Sequence, residues 1–238
     1  MKFPYSPAAE QDVVVQAGST ALAGHLVIPD QAEGIVLFAH GSGSSRHSPR
    51  NRYVAQVLHE TGLATLLFDL LTPAEEEVDL RTRHLRFDIG LLATRLAGAT
   101  DWVCQSGNTE GLNIGYFGAS TGAAAALVAA TERPEAIQAI VSRGGRPDLA
   151  GAALSRVQAP TLLIVGGRDD SVIPLNQMAL EQLQVEKRLV IVPHATHLFE
   201  EPGALEQVAR LAGQWLHDYL ASTARKPGAA PHSATPKI

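Results

Sequence analysis

Short apolar runs, each bounded by glycine, proline or small polar residues, alternate with helical patterns along nearly the whole chain, and this alternation restricts the fold more than any other property. Asp12 to Gln16 and Leu22 to Ile28 read as a leading pair of strands, and Ile35 to Ala39 as a buried one. A helix over about Arg52 to Glu60 leads to a strand at Ala64 to Phe68, then a helix over about Phe87 to Cys104 and a strand at Leu112 to Phe117. Helix Thr121 to Thr131 and strand Ile137 to Ser142 follow. The second half gives strand Thr161 to Val165, a helix over about Asn176 to Leu183, strand Lys187 to Val192 and a last helix from Ala204 to Leu220. Strands joined through helices pair in parallel, because the crossover returns the chain to the same end of the sheet. The expectation is an α/β three-layer sandwich with a mostly parallel eight-stranded sheet. Between Ser142 and Thr161 there is room for one small helix and no cap domain, so the site should lie open to solvent.

A chain of 238 residues that is 45% hydrophobic and 18% charged can bury one substantial core. Residues 1–222 are expected to form that domain. Thr223 to Ile238, rich in Ala, Pro, Ser and Lys, reads as a disordered tail. A net charge of -5 with no Lys/Arg cluster on an expected helix face argues against nucleic acid as a partner. The residues after Met1 lack the apolar run of a signal peptide, and no stretch of about eighteen apolar residues occurs, so a cytoplasmic protein without membrane contact is expected. Cys104 is the only cysteine, which excludes an internal disulfide. Within Trp102-Val103-Cys104 it reads as a small buried hydrophobe.

The pentapeptide Gly118-Ala119-Ser120-Thr121-Gly122 lies between an apolar strand and an alanine-rich helix. Such a strand–turn–helix junction is a nucleophile elbow, in which a strained backbone lifts the central hydroxyl clear of the sheet. Ser120 is therefore the candidate nucleophile. A serine hydroxyl needs an imidazole to take its proton and a carboxylate to fix the tautomer of that imidazole. Asp169, in Gly166-Gly167-Arg168-Asp169-Asp170, and His197, in Pro193-His194-Ala195-Thr196-His197, follow later strands in that order. Both leave strand carboxyl ends, where open α/β sheets gather their ligands. Asp170 and His194 remain competitors for the two roles, and a His194/His197 metal pair lacks further ligands of the usual kind.

His40-Gly41-Ser42-Gly43-Ser44-Ser45 follows the buried strand Ile35 to Ala39 and looks like the HGGG-type loop of esterases. Small residues there, Gly41 among them, let backbone amides approach a substrate. The amides of Ser42 and Thr121 are the expected oxyanion donors. A phosphate-binding glycine loop is the competing reading, but the lysine of G-x-x-x-x-G-K-[ST] and the G-x-G-x-x-G spacing are both missing. Arg46 and Arg143 are candidates to orient a substrate carboxylate. Thr72 to Arg86 mixes Glu75-Glu76-Glu77 with Arg81, Arg83 and Arg86, and reads as a solvated charged face or an overhang of the pocket.

Ala39-His40-Gly41-Ser42-Gly43, the Ser120 pentapeptide, Gly166-Gly167-Arg168-Asp169 and Ala195-Thr196-His197 together resemble the α/β-hydrolase superfamily. More narrowly, the chain from about Val13 to Tyr219 is similar to the dienelactone-hydrolase-related proteins. That resemblance implies the α/β-hydrolase fold and a Ser-His-Asp hydrolase carried by Ser120, His197 and Asp169, with no metal or organic cofactor. Dienelactone hydrolases proper have a cysteine where Ser120 stands, which turns the expected substrate from an enol-lactone to a small-molecule carboxylic ester. Lactone or thioester hydrolysis stays open, as does a non-catalytic binding protein on the same fold. Similar sequences also occur fused to phosphoribosyltransferase domains, which these residues are not expected to supply.

Overall fold

The computed structural model describes residues 9–221, so the expected tail at Thr223 to Ile238 lies outside the described residues. The strands are β1 (Gln11–Ala17), β2 (Thr20–Val27), β3 (Gly34–Ala39), β4 (Leu63–Phe68), β5 (Asn113–Ala119), β6 (Ile137–Arg143), β7 (Thr161–Gly166) and β8 (Lys187–Val192). The helices are α1 (Pro49–Glu60), α2 (Pro73–Thr82), α3 (Ile89–Gln105), α4 (Thr121–Glu132), α5 (Ile173–Gln182) and α6 (Ala204–Leu220). Two 3₁₀ segments, Leu85–Phe87 and Pro147–Arg156, complete the elements.

All eight strands form one sheet in the order β1-β2-β4-β3-β5-β6-β7-β8. β2 runs antiparallel to β1 and β4, and every other pairing is parallel. β3, β4 and β7 are buried at every residue, as strands covered on both faces must be. β1 and β2 alternate buried and open residues instead, and a two-residue turn joins them whose Gly18 takes φ +62°. One layer packs Val54 and Leu58 of α1 and Val208, Ala212 and Leu216 of α6 against Phe38, Phe117 and Val141. The other packs α3, α4, α5 and the Pro147–Arg156 segment against the opposite face. This is the α/β-hydrolase fold, with no cap domain among the described residues. No helix among the described residues is long and apolar enough to cross a membrane.

The chain steps from β3 outward to β4, then crosses back to place β5 on the other side of β3. At such a reversal the loops leaving adjacent strands diverge and open a crevice at the carboxyl edge. The loops after β3 and β5 border this crevice, with Ala39 paired to Gly118 at their ends.

Three local expectations are corrected. The charged stretch after Thr72 contains a helix, α2, started by a capping box: Thr72 Oγ1 accepts from Glu75 N at 3.2 Å, and Glu75 Oε2 accepts from Thr72 N at 2.8 Å. Its buried residue is Asp79, whose carboxylate accepts from the backbone N–H groups of Leu85 and Arg86 at 2.8 and 3.1 Å and from Arg86 Nε at 2.5 Å. Cys104 is exposed, because roughly 100° of helical rotation separates it from the core-facing Val103. α1 and α5 begin three residues earlier than expected, since Pro49 and Pro174 sit in their first turns, where a missing N–H costs nothing.

Candidate active site

Ser120 follows β5 directly and adopts φ 50°, ψ -120°, outside the regions open to residues with a side chain. Its N–H donates to Arg143 O at 3.3 Å, and its carbonyl accepts from Ala123 N and Arg146 N, both at 3.1 Å. The backbone is thus pinned while the hydroxyl makes no capping bond to α4. The flanking glycines let α4 start against the sheet. A methyl group at Gly122 would stand 2.1 Å from Ala39 O, and one at Gly118 would stand 2.5 Å from Ala123 Cα.

The loop after β3 leans on the same junction, where a methyl at Gly41 would lie 3.2 Å from Ser120 Cβ. His40, to which the sequence reading gave no role, organises this loop. Its Nε2 accepts from Leu70 N at 3.1 Å, which leaves Nδ1 to carry the proton and face Gly41 O at 3.0 Å. Ser44 N donates to the same carbonyl at 3.1 Å. With that oxygen held from two sides, the planar trans peptide turns the Ser42 N–H the other way. Neither the Ser42 nor the Thr121 amide donates to another group among the described residues. Burial holds the His40 imidazole below its usual pKa, outweighing its contact with Gly41 O and the charge of Asp69, so it stays neutral. The local signal was its place directly before Gly41, but no local spacing reveals Leu70 as its partner.

Asp169 sits in a turn closed by its own N–H on Gly166 O at 3.0 Å and by Val172 N on its carbonyl at 2.9 Å. Its side chain is buried and its Oδ2 accepts from His197 Nδ1 at 2.6 Å. That bond directs His197 Nε2, with its lone pair, away from the carboxylate. Asp170 and His194 are both exposed, and no bond joins them to each other or to Ser120 among the described residues. Gly144, the residue after Arg143, brings the elbow and the imidazole together: a methyl there would stand 3.0 Å from His197 O and 3.5 Å from its Nδ1. Ser120 Oγ and His197 are not directly hydrogen-bonded among the described residues. Ser120, Thr121, Ser42, Gly41, Asp169 and His197 therefore share one rim.

The two arginines differ. Arg46 turns to Asp69, pairing through Nη1 and donating its backbone N–H to Oδ1 at 2.7 Å, so its charge is already matched inside the protein. Arg143 is buried beside Asn51 and Phe199 and forms no ion pair with a carboxylate among the described residues. A cleft of about 660 Å³ runs past Ser42, Ser44, Arg46, Arg50, Leu71 and Glu76.

Residues 22–221 match the model of the dienelactone hydrolase family. A Mycobacterium tuberculosis protein provisionally named a phosphoribosyl transferase is 59% identical over 214 residues, covering 90% of this chain and 47% of the relative. The chain thus spans about half the length of that curated relative. Among solved structures, a dienelactone hydrolase from Anabaena variabilis superposes with a TM-score of 0.89 at 68% identity, covering 90% of this chain and 100% of that one. A lidless α/β serine hydrolase from Xanthomonas campestris gives a TM-score of 0.71 at 21% identity over 93% of this chain and 100% of the other, a likeness of fold.

Proposed function

We propose that this chain, which belongs to the dienelactone hydrolase family, cleaves short-chain carboxylic esters through an acyl-enzyme on Ser120. The observation that carries the reading is the 2.6 Å contact of His197 Nδ1 with Asp169 Oδ2 on the rim that also holds the strained Ser120. His197 Nε2 takes the hydroxyl proton as Ser120 Oγ bonds to the ester carbonyl carbon. Charge moves to the carbonyl oxygen, where the Ser42 and Thr121 amides receive it. The bond to the alcohol breaks as His197 returns the proton to the leaving oxygen. Water then repeats the sequence: its proton passes to His197, its oxygen bonds to the acyl carbon, and Ser120 leaves with the proton. Asp169 remains a carboxylate throughout and holds the imidazole in one tautomer. A hydroxyl that rotates onto Nε2 when substrate arrives is common in this chemistry. The absence of a cap favours short acyl groups, since little apolar wall is available to a long one.

The test is a panel of acyl esters and thioesters against the purified chain, with a fluorophosphonate probe that labels activated serines. Hydrolysis and labelling that both vanish in Ser120→Ala support the reading. A chain that neither turns over an ester nor takes the label is a binding protein on this fold. Lactone hydrolysis is a second reading, favoured by the 68% identity to a protein named dienelactone hydrolase. An enol-lactone in the same panel separates the two by kcat/KM.

A further inference from the structure

The two halves of the proposed machinery reach the rim on separate elements. On one side, Ser120 is clamped by the segment that leaves β6: its N–H donates to Arg143 O and its carbonyl accepts from Arg146 N. On the other, the carbonyl of Asp169 accepts from Val172 N at 2.9 Å and from Ile173 N at 3.1 Å, so the turn that carries the carboxylate runs straight into α5. His197 is held by that carboxylate. The separation of hydroxyl and imidazole is therefore set by whatever fastens these two segments to each other.

One side chain spans them. Asn176, early in α5, is fully buried, and its amide nitrogen has two hydrogens to donate. Nδ2 donates to Val172 O at 3.0 Å and to Gly145 O at 3.1 Å. Val172 O also accepts from Asn176 N at 3.1 Å, the ordinary helical bond, so the side-chain contact to it is redundant. Gly145 O is different. It is buried, lies between the two residues that clamp Ser120, and takes no other donor among the described residues. Two carbonyls around the nitrogen also fix which way the amide points, since turning it over would set oxygen against oxygen.

Stability by itself is a poor reason for an asparagine at this position. The residue is a weak helix former, and its Oδ1 is buried with no partner among the described residues. What the amide supplies is a link between residues 31 positions apart, from the Asp169 arm to the Ser120 arm. We propose that Asn176 is a positioning residue, whose bond to Gly145 O ties the Asp169 turn to the segment clamping Ser120 and so sets the reach of His197 to the serine hydroxyl. As a statement about catalysis this rests on the hydrolase reading, but as a statement about the link between the two segments it does not.

Asn176→Leu keeps the volume and removes both donors. Asn176→Thr keeps a bond to Val172 O, which a threonine hydroxyl reaches four residues back, and loses only Gly145. Both should lower kcat per folded molecule by about 10–100-fold with KM changed by less than about 2-fold, the pattern expected when reacting groups are misplaced by about 1 Å. Asn113→Leu is the matched control, because Asn113 Nδ2 makes the same kind of bond, to Leu220 O at 2.7 Å, where β5 begins at the opposite edge of the sheet. It should lower Tm and leave kcat per folded molecule unchanged. Asn176 variants that behave like this control, or that lose activity through KM alone, overturn the proposal. Should Asn176→Leu not fold, Asn176→Thr carries the test, and failure of both to fold assigns the residue to structure instead.

A second arm needs no substrate. In Asn176→Thr, amide hydrogen exchange should lose protection by about 10-fold at Arg146 N–H, the donor to Ser120 O, while the amides of the β1–β2 hairpin keep theirs. Uniform loss across the sheet, or none at Arg146, overturns the link. If the wild-type chain cleaves no ester, the hydrolase reading fails and the exchange arm still decides whether Asn176 joins the two segments.

Discussion

Two serines begin helices in this protein, and their backbones are close to mirror images: Ser48 has φ -49° and ψ 117°, Ser120 has φ 50° and ψ -120°. Ser48 turns its hydroxyl onto Asn51 N at 3.4 Å and caps α1. Ser120 stands at the same position of α4 and caps nothing. The ordinary conformation costs little and uses the hydroxyl locally, whereas the left-handed one costs on the order of 1–3 kcal/mol and leaves it free. The strain persists because neighbours on every side dictate it, from Arg143 O behind to Ala39 O against Gly122. One serine thus contributes to stability, and the other is held at a cost that the proposed chemistry would use.

The contrast can be broken most severely at Ser120. Ser120→Ala should lower kcat by about 10⁴–10⁶-fold with unchanged denaturant stability, measured on the best ester of the panel. A mutant that keeps wild-type rates would leave the serine without a role. Gly122→Ala attacks the support of the elbow instead: the added methyl meets Ala39 O at 2.1 Å, so β3 and α4 must part. A loss on the order of 3 kcal/mol is expected in urea titrations, together with lost activity, and full stability would show that the close approach is dispensable.

The far end of α1 sharpens the comparison through pH. His59, at hydrogen-bond distance from Thr65 Oγ1 at 2.7 Å, has its pKa lowered from 6.5 to about 4, chiefly by burial. The folded state therefore prefers the neutral ring. Stability from this group is complete above pH 6.5, falls as pH drops toward about 4, and levels off below, because the unfolded chain binds the proton first. The loss should be on the order of 1–2 kcal/mol after allowing for partial exposure. His59→Gln should flatten that part of the stability curve, and an unaltered slope would exclude His59 as its source. The smallest effect belongs to Ser48→Ala, about 1 kcal/mol of stability read by thermal or urea unfolding. The rate per folded molecule should change far less than in Ser120→Ala, and a comparable collapse in kcat would erase the distinction between the two serines.

Much of this was legible from short-range patterns. The apolar run at Ile35 to Ala39 marked a buried strand, that at Thr161 to Val165 marked a strand, and the glycines around Ser120 marked the elbow, because each depends on residues a few positions apart. The capping box at Thr72 and Glu75 was equally local, but the density of charge around it invited a reading as a solvated surface. The core-facing side of Val103 sent Cys104 outward, a matter of helical phase that composition does not carry.

Spacing and composition settled the class of fold, the strained serine and the edge of the sheet at which chemistry could occur, since backbone sterics and hydrophobic periodicity act over a few residues. The sequence already favoured Asp169 over Asp170, but packing alone decided its contact with His197, the bracing of the Ser42 peptide by His40 through Leu70, and that Arg46 is neutralised while Arg143 is not. Those pairings join residues 28, 30 and 23 positions apart in the first, second and third cases. Sheet order and crossover direction set such distances, and no neighbouring residue encodes them.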